Sequence, residues 1–423
     1  MTDPFAPGVR PLTAPAPGRA GLHVAGPVAE IPAPAGGTAW VVTDDDLART
    51  VLTDPRFGKD PALLAPDRPA PEVGGEPPAS ERLSLTTTDG PVHRALRHAH
   101  APLLSHRAVA AHTDRVTATA RELLHAEAAA AEGDGVRDLA AEFLVRYPLT
   151  VVLDVVGVPR DRLNASVTAC RGMLDADPGV RGAAFGALLG VCAAAAREPG
   201  SFADSLRDNA ADAGTPLDDD QLAYLLFGLV FAGQLTTESA LGALLVRALA
   251  PGAPTLGGLA PDGTAAAPTD PDDLVRDVLH DHPPAPFTLW RYTTAAVELA
   301  GTTIPAGAPV LVDIAGIHGA GIHGAGMQGS GIHGAGVHGA GMQGAGARNG
   351  TSSDLAFGHG PHFCVGAHLA TLELRVLLTV LREDFPRARL AADPCVLTLA
   401  DPGGIQGPRL TSLPVALGPT TVV

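Results

Sequence analysis

The chain has 423 residues and a net charge of −16, and is 46% hydrophobic but only 4% aromatic, which is long enough for two or three domains or one large core. The acidic balance argues against a nucleic-acid or anionic-membrane surface. Four cysteines, Cys170, Cys192, Cys364 and Cys395, are spaced too widely for a disulfide framework or a zinc site, and fit a reducing compartment.

The N-terminus has no basic stretch followed by an apolar core, so no signal peptide is expected. Residues 1–27 are rich in Pro and Gly and read as irregular. Val28 to Ile31 and Trp40 to Thr43 read as strands joined by a turn at Ala35-Gly36-Gly37. Asp44, Asp45 and Asp46 offer an N-cap and an acidic first turn for a helix to about Thr53. The Pro-rich stretch 61–82 reads as loop. Helical patterns follow at about 91–103, 107–132, 137–156, 160–174, 180–197 and 219–250, with breaks at 133–135, 157–159, 178–179 and 199–216. The longest apolar run, Leu222 to Leu235, reads as too short and too Gly-broken to span a bilayer, so a cytoplasmic protein is expected. A shorter helix is expected at 271–281. Strands are expected at Thr288–Tyr292, Val297–Leu299 and Val310–Ile314.

Residues 316–350 read as seven pentads, GIHGA, GIHGA, GMQGS, GIHGA, GVHGA, GMQGA and GARNG. Glycine at pentad positions 1 and 4 argues against a regular helix. The four histidines, His318, His323, His333 and His338, admit a metal-binding tract or a solvent-exposed low-complexity insertion dispensable for the core.

The stretch from Phe357 to Gly366, F-G-H-G-P-H-F-C-V-G, places Cys364 on a tight loop just before a helix that runs to about Asp384. Backbone N–H groups and the helix dipole at that position favour thiolate. A thiolate can be the axial ligand of haem iron, and glycines permit close approach to a flat macrocycle. In D-G-P-V-H-R-A-L-R, His93 and Arg97 lie four apart and share one helix face. In F-A-G-Q-L-T-T-E, Ala232 and Gly233 sit mid-helix at a cost for Gly of about 1 kcal/mol, and the Thr236 hydroxyl just beyond can organise proton delivery.

The complete F-G-x-G-x-H-x-C-x-G loop resembles that of the cytochrome P450 family, soluble bacterial type, and the resemblance extends over nearly the whole chain outside the pentads. It implies a mainly α fold with a small β-domain, with haem b (iron protoporphyrin IX) between the long central helix and the cysteine-loop helix. Residues 28–423 then form one domain interrupted by 316–350, and 61–82 corresponds to a mobile lid. The resemblance implies Cys364 as iron ligand, with Phe357 and Gly366 shaping its loop. It assigns His93, Arg97, Arg291 and His362 to the haem propionates, and Ala232, Gly233 and Thr236 to the oxygen side. It also implies a small apolar substrate, with electrons from a ferredoxin and ferredoxin reductase.

Two departures stand out. The acid that precedes the threonine in the family is Leu235 here. The E-x-x-R pair reads Asp277-Val-Leu-His280, and its usual arginine partner falls where the pentads stand. Three readings stay open on the sequence: a monooxygenase, a haem-binding partner without turnover, and a peroxide-driven oxidase.

Overall fold

The computed structural model describes residues 3–16, 18–71, 77–131, 135–250, 270–324 and 355–418. The first segment is not irregular: it holds β1 (Gly8–Pro11) and α1 (Arg19–Ala25). β2 (Val28–Pro32) and β3 (Thr38–Val42) pair antiparallel across the expected turn. The Asp44 carboxylate accepts the Leu47 N–H at 3.0 Å and starts α2 (Asp45–Thr53), and β4 (Phe57–Gly58) follows.

The helical body comprises α3 (Gly90–His100), α4 (His106–Ala110), α5 (Thr113–Ala129), a strand β5 (Val136–Asp138), α6 (Phe143–Val156), α7 (Leu163–Gly172), α8 (Pro178–Ala195), α9 (Phe202–Asp212) and α10 (Asp219–Leu249). Three expectations need correction. The single helix at 107–132 is two, because the Thr113 hydroxyl bonds back to the Ala110 carbonyl and competes with helix continuation. The start of the 137–156 helix is strand β5, because Asp138 is drawn into backbone contact with Leu413. Helix α9 lies inside the supposed break at 199–216. Its signal was Ser201 three residues before Asp204, and the Ser201 hydroxyl does accept the Asp204 N–H.

Helix α10 is the axis of the body. Asp218 and Gln221 form a capping box at its start. Apolar residues surround most of its circumference, which marks a helix enclosed by others, and it packs on α6, α8, α9 and the later helix Ala367–Asp384. By length and composition α8 and α10 are both long and apolar enough to cross a membrane, so the apolar run is longer than the sequence reading allowed. In this fold α10 is a core helix.

The chain continues with α11 (Pro271–Asp281), β6 (Arg291–Thr293), β7 (Val297–Leu299), β8 (Thr302–Ile304), β9 (Pro309–Val312), α12 (Ile314–Gly324), α13 (Ala367–Asp384), β10 (Arg389–Leu390), β11 (Thr398–Asp401), β12 (Arg409–Leu410) and β13 (Pro414–Ala416). The main sheet has the order β2-β3-β9-β6-β4, and only the β3–β9 pairing is parallel. β1 joins β11, which explains why a Pro-rich N-terminus is ordered: its partner comes from near the C-terminus.

The start of the pentad tract is helical, against expectation. Asp313 caps α12 by accepting the Gly316 N–H at 3.0 Å. A Cβ at Gly316 would collide with the Asp313 carboxylate and the His23 imidazole. Ile314 and Ile317 pack against the core cluster of Trp40, Val312 and Leu355. Fully burying an Ile side chain, as at Ile314, stabilises by about 1.5–3 kcal/mol, which offsets part of the glycines' helix penalty of about 1 kcal/mol each. The first pentad is therefore part of the fold. The pentads beyond residue 324 lie outside the described residues.

Candidate functional site

The cysteine loop is held by its own backbone. The Cys364 N–H donates to the Phe357 carbonyl at 2.8 Å, and Gly358 N–H to Leu355 at 2.8 Å. Gly360 has φ 72°. A side chain there would stand 2.8 Å from Thr53 Cγ2 and 2.9 Å from the Leu52 carbonyl, so the loop docks against α2 at close range. Gly366 caps α13, and the N–H groups of Gly366 and Ala367 point at the Cys364 sulfur. Those donors and Arg97 pull the thiol's pKa down, but burial pushes it up further, so its net shift is upward and not the expected downward one. The side chain of Cys364 is nonetheless accessible, and its neighbour Phe363 is 43% exposed.

A cationic and imidazole cluster stands beside the loop. His93 on α3 stacks on His362 with ring centres 3.9 Å apart. His362 Nε2 lies 3.2 Å from Asp89 Oδ1, and Asp89 Oδ2 accepts the Lys59 backbone N–H at 2.5 Å. Burial and the neighbouring cations push His93 down to about 4, so it is neutral at pH 7. Arg291 donates to the Phe57 carbonyl at 2.9 Å and the Leu52 carbonyl at 3.4 Å; its Nε is buried without a hydrogen-bond partner, as is His93 Nε2. Arg97 is half-buried, its pKa lowered by desolvation and supported by the field of Cys364.

One stripe of α10 is open. Gly228 and Ala232 are exposed and Leu235 and Thr236 partly so, while Val230, Gln234 and Thr237 are buried. At 100° per residue the four open positions share one face. Gly233 is not on it: a Cβ there would meet Val152 of α6 at 3.5 Å, so Ala232 alone of the pair keeps the open face low. The Thr236 hydroxyl donates to the Ala232 carbonyl at 2.8 Å. Gln234 donates to Glu238 Oε2 at 2.5 Å on the other side of the helix, and burial raises the Glu238 pKa.

No family model matches the chain. It is 37% identical over 418 residues to the cytochrome P-450 monooxygenase DoxA of Streptomyces sp. (strain C5), covering 93% of this chain and 92% of that protein. The chain belongs to the cytochrome P450 family. The P450 monooxygenase PikC of Streptomyces venezuelae is 29% identical, over 95% of this chain and 90% of its own length. The solved structure of CYP154A1 from Streptomyces coelicolor A3(2) superposes with a TM-score of 0.72 at 26% identity, covering 95% of this chain and 96% of that one. The protein is thus a bacterial P450, a haem–thiolate monooxygenase at the level of the family. Its cofactor is haem, and such enzymes act with redox partners on small molecules.

Within this P450 the fold brings His93 and His362 into contact, sets Arg97 within the field of Cys364, and puts Arg291 within the field of Asp89 and His362. It adds two residues that the sequence reading did not assign. Asp89 opens the D-x-P-x-H-x-x-x-R segment, which was signal enough. Lys59 carried no local signal; its ammonium donates to the Trp290 carbonyl at 2.8 Å across the main sheet.

Proposed function

We propose that this P450 inserts oxygen into a small apolar molecule, using haem b held by Cys364 and electrons from a ferredoxin and its reductase, in the cytoplasm. The observation that carries the reading is the accessible thiol at the N-terminus of α13, backed by the N–H groups of Gly366 and Ala367. The donor set suits a flat dianionic cofactor. Arg97 is half-buried and makes no ion pair with a carboxylate among the described residues, Arg291 Nε is a buried donor without an acceptor, and His93 Nε2 is a buried ring nitrogen without a hydrogen-bond partner. These three and His362 would hold the propionates, each by a charge-assisted or neutral hydrogen bond. Bound haem supplies the oxygen activation. The chain supplies anchoring, an open α10 face that is apolar apart from Thr236, and the exposed Leu289 before β6.

A ferredoxin fits the outer face of this region. Arg94 and His98 on α3 and His106 and Arg107 on α4 are exposed. The His106 ring touches that of His368, four residues past Cys364, at 5.7 Å. A basic patch on a chain of charge −16 favours an acidic partner and a salt-dependent on-rate. With a surrogate ferredoxin, reductase and NAD(P)H, Arg94→Glu with Arg107→Glu should slow the first electron transfer by about tenfold at low salt. Oxygenated product is expected from a panel of apolar substrates. An unchanged electron-transfer rate removes the docking face, and a panel without product removes the substrate class.

Haem retention gives a second check. Arg97→Ala removes a cation that burial has already partly desolvated, so haem should dissociate at least about tenfold faster. Unchanged haem dissociation in both Arg97→Ala and Arg291→Ala would overturn the propionate assignment.

A further inference from the structure

The first pentad and the altered E-x-x-R pair meet in space. His318 on α12 is 4% exposed, and its ring stacks on that of His280 at the end of α11, with centres 4.4 Å apart and planes 5° apart. His318 Nδ1 lies 2.8 Å from the His280 carbonyl oxygen, and His318 Nε2 lies 3.1 Å from the Leu355 backbone nitrogen. A carbonyl can only accept and an amide N–H can only donate. The ring therefore carries its proton on Nδ1 and its lone pair on Nε2, which is the neutral imidazole. His280 is itself oriented by Asp281 Oδ1, 3.0 Å from its Nδ1.

Leu355 is fully buried, and it opens the cysteine loop. Its carbonyl accepts the Gly358 N–H at 2.8 Å, and Phe357 two residues on accepts the Cys364 N–H at 2.8 Å. One imidazole thus links the end of α11 to the backbone that carries the thiol. We infer that His318 is a positioning residue for Cys364: its Nε2 fastens the entry of the cysteine loop to α11, where Asp277 and His280 replace the family's Glu and Arg. The consequence for haem rests on the reading of Cys364 as ligand; the fastening itself does not.

The single-ring geometry separates this role from core filling. Glutamine can place an acceptor near the Nε2 position, asparagine a donor near Nδ1, and phenylalanine keeps the volume and the stack without either bond. Amide hydrogen exchange at Leu355 in the haem-loaded protein reads the fastening directly. Haem dissociation and the fraction of thiolate-type reduced-CO spectrum read its effect on Cys364. In His318→Phe and His318→Asn, Leu355 exchange and haem loss should each accelerate about tenfold, the loss expected for one buried hydrogen bond. His318→Gln should restore both toward wild type. If His318→Phe fails to fold, the glutamine and asparagine variants decide. Wild-type exchange at Leu355 in the phenylalanine or asparagine variant, or glutamine behaving like asparagine, overturns the inference. Altered exchange with unchanged haem loss and CO spectrum would uphold the fastening but overturn its role in positioning Cys364.

Discussion

Replacing Cys364 with alanine is expected to abolish the thiolate-type spectrum of the reduced, CO-bound protein. No other thiol among the described residues can take its place. Cys170 and Cys192 are buried, with thiols pushed up to about 12 by desolvation. Cys395 sits on an exposed turn, where the bond to Asp393 raises its pKa. Cys364 combines accessibility with three influences that favour its anion, the N–H groups of Gly366 and Ala367 and the charge of Arg97. Burial opposes them and raises the free thiol. A positively charged metal reverses that balance, because coordination to a cation deprotonates a thiol outright. Free thiol above the usual range and thiolate on binding are therefore compatible, and binding should release a proton. Persistence of the thiolate-type spectrum in Cys364→Ala would remove Cys364 as the ligand.

Wild-type protein should couple electrons to product poorly and release hydrogen peroxide, and Leu235→Asp should raise product formed per NAD(P)H by about tenfold, less than the roughly 10²–10⁴-fold that a well-placed general acid or base contributes. Oxygen chemistry at such a site consumes protons, and the open face of α10 offers few. The Thr236 hydroxyl is committed to the Ala232 carbonyl. It can still accept from a water but is no proton source near pH 7. Glu238 has a pKa raised by burial, a useful property in an acid, but its carboxylate is engaged by Gln234 away from the open face. Leu235 is the partly exposed position beside Thr236, so an acid placed there can reach both water and the site. High coupling in the wild type would mean that another route carries protons. Failure of Leu235→Asp to improve coupling, with haem and substrate bound, would show that proton supply is not limiting.

Helix boundaries inside the body were legible where caps and periodicity agree. The ends of α10 and α11 follow Asp218 with Gln221 and Asp270 with its neighbour Pro271. They were misread where a side chain turned the backbone locally, as at Thr113, or where a capping signature stood inside a Pro-flanked stretch, as at Ser201. The open stripe of α10 was legible as a small-residue site, but the roles within it were not. Which of Ala232 and Gly233 faces outward depends on where α6 packs, and Val152 occupies the side next to Gly233.

The amino-acid sequence by itself determined the cysteine loop, the His93–Arg97 face and the span of the central helix, because each is a short-range pattern whose spacing sets geometry through backbone period alone. The tertiary structure decided what depends on distant partners. β1 is a strand only because β11 pairs with it, Arg291 spends two donors on carbonyls of Leu52 and Phe57, and the Cys364 thiol is raised because burial outweighs its local donors. The pentads carry the same lesson. Glycine content argues for a loop, yet the Asp313 cap, the packing of Ile314 and Ile317 and the bonds of His318 make the first of them a helix. Desolvation and packing against a residue far along the chain are set by the whole fold, and they outweigh the propensities that can be read locally.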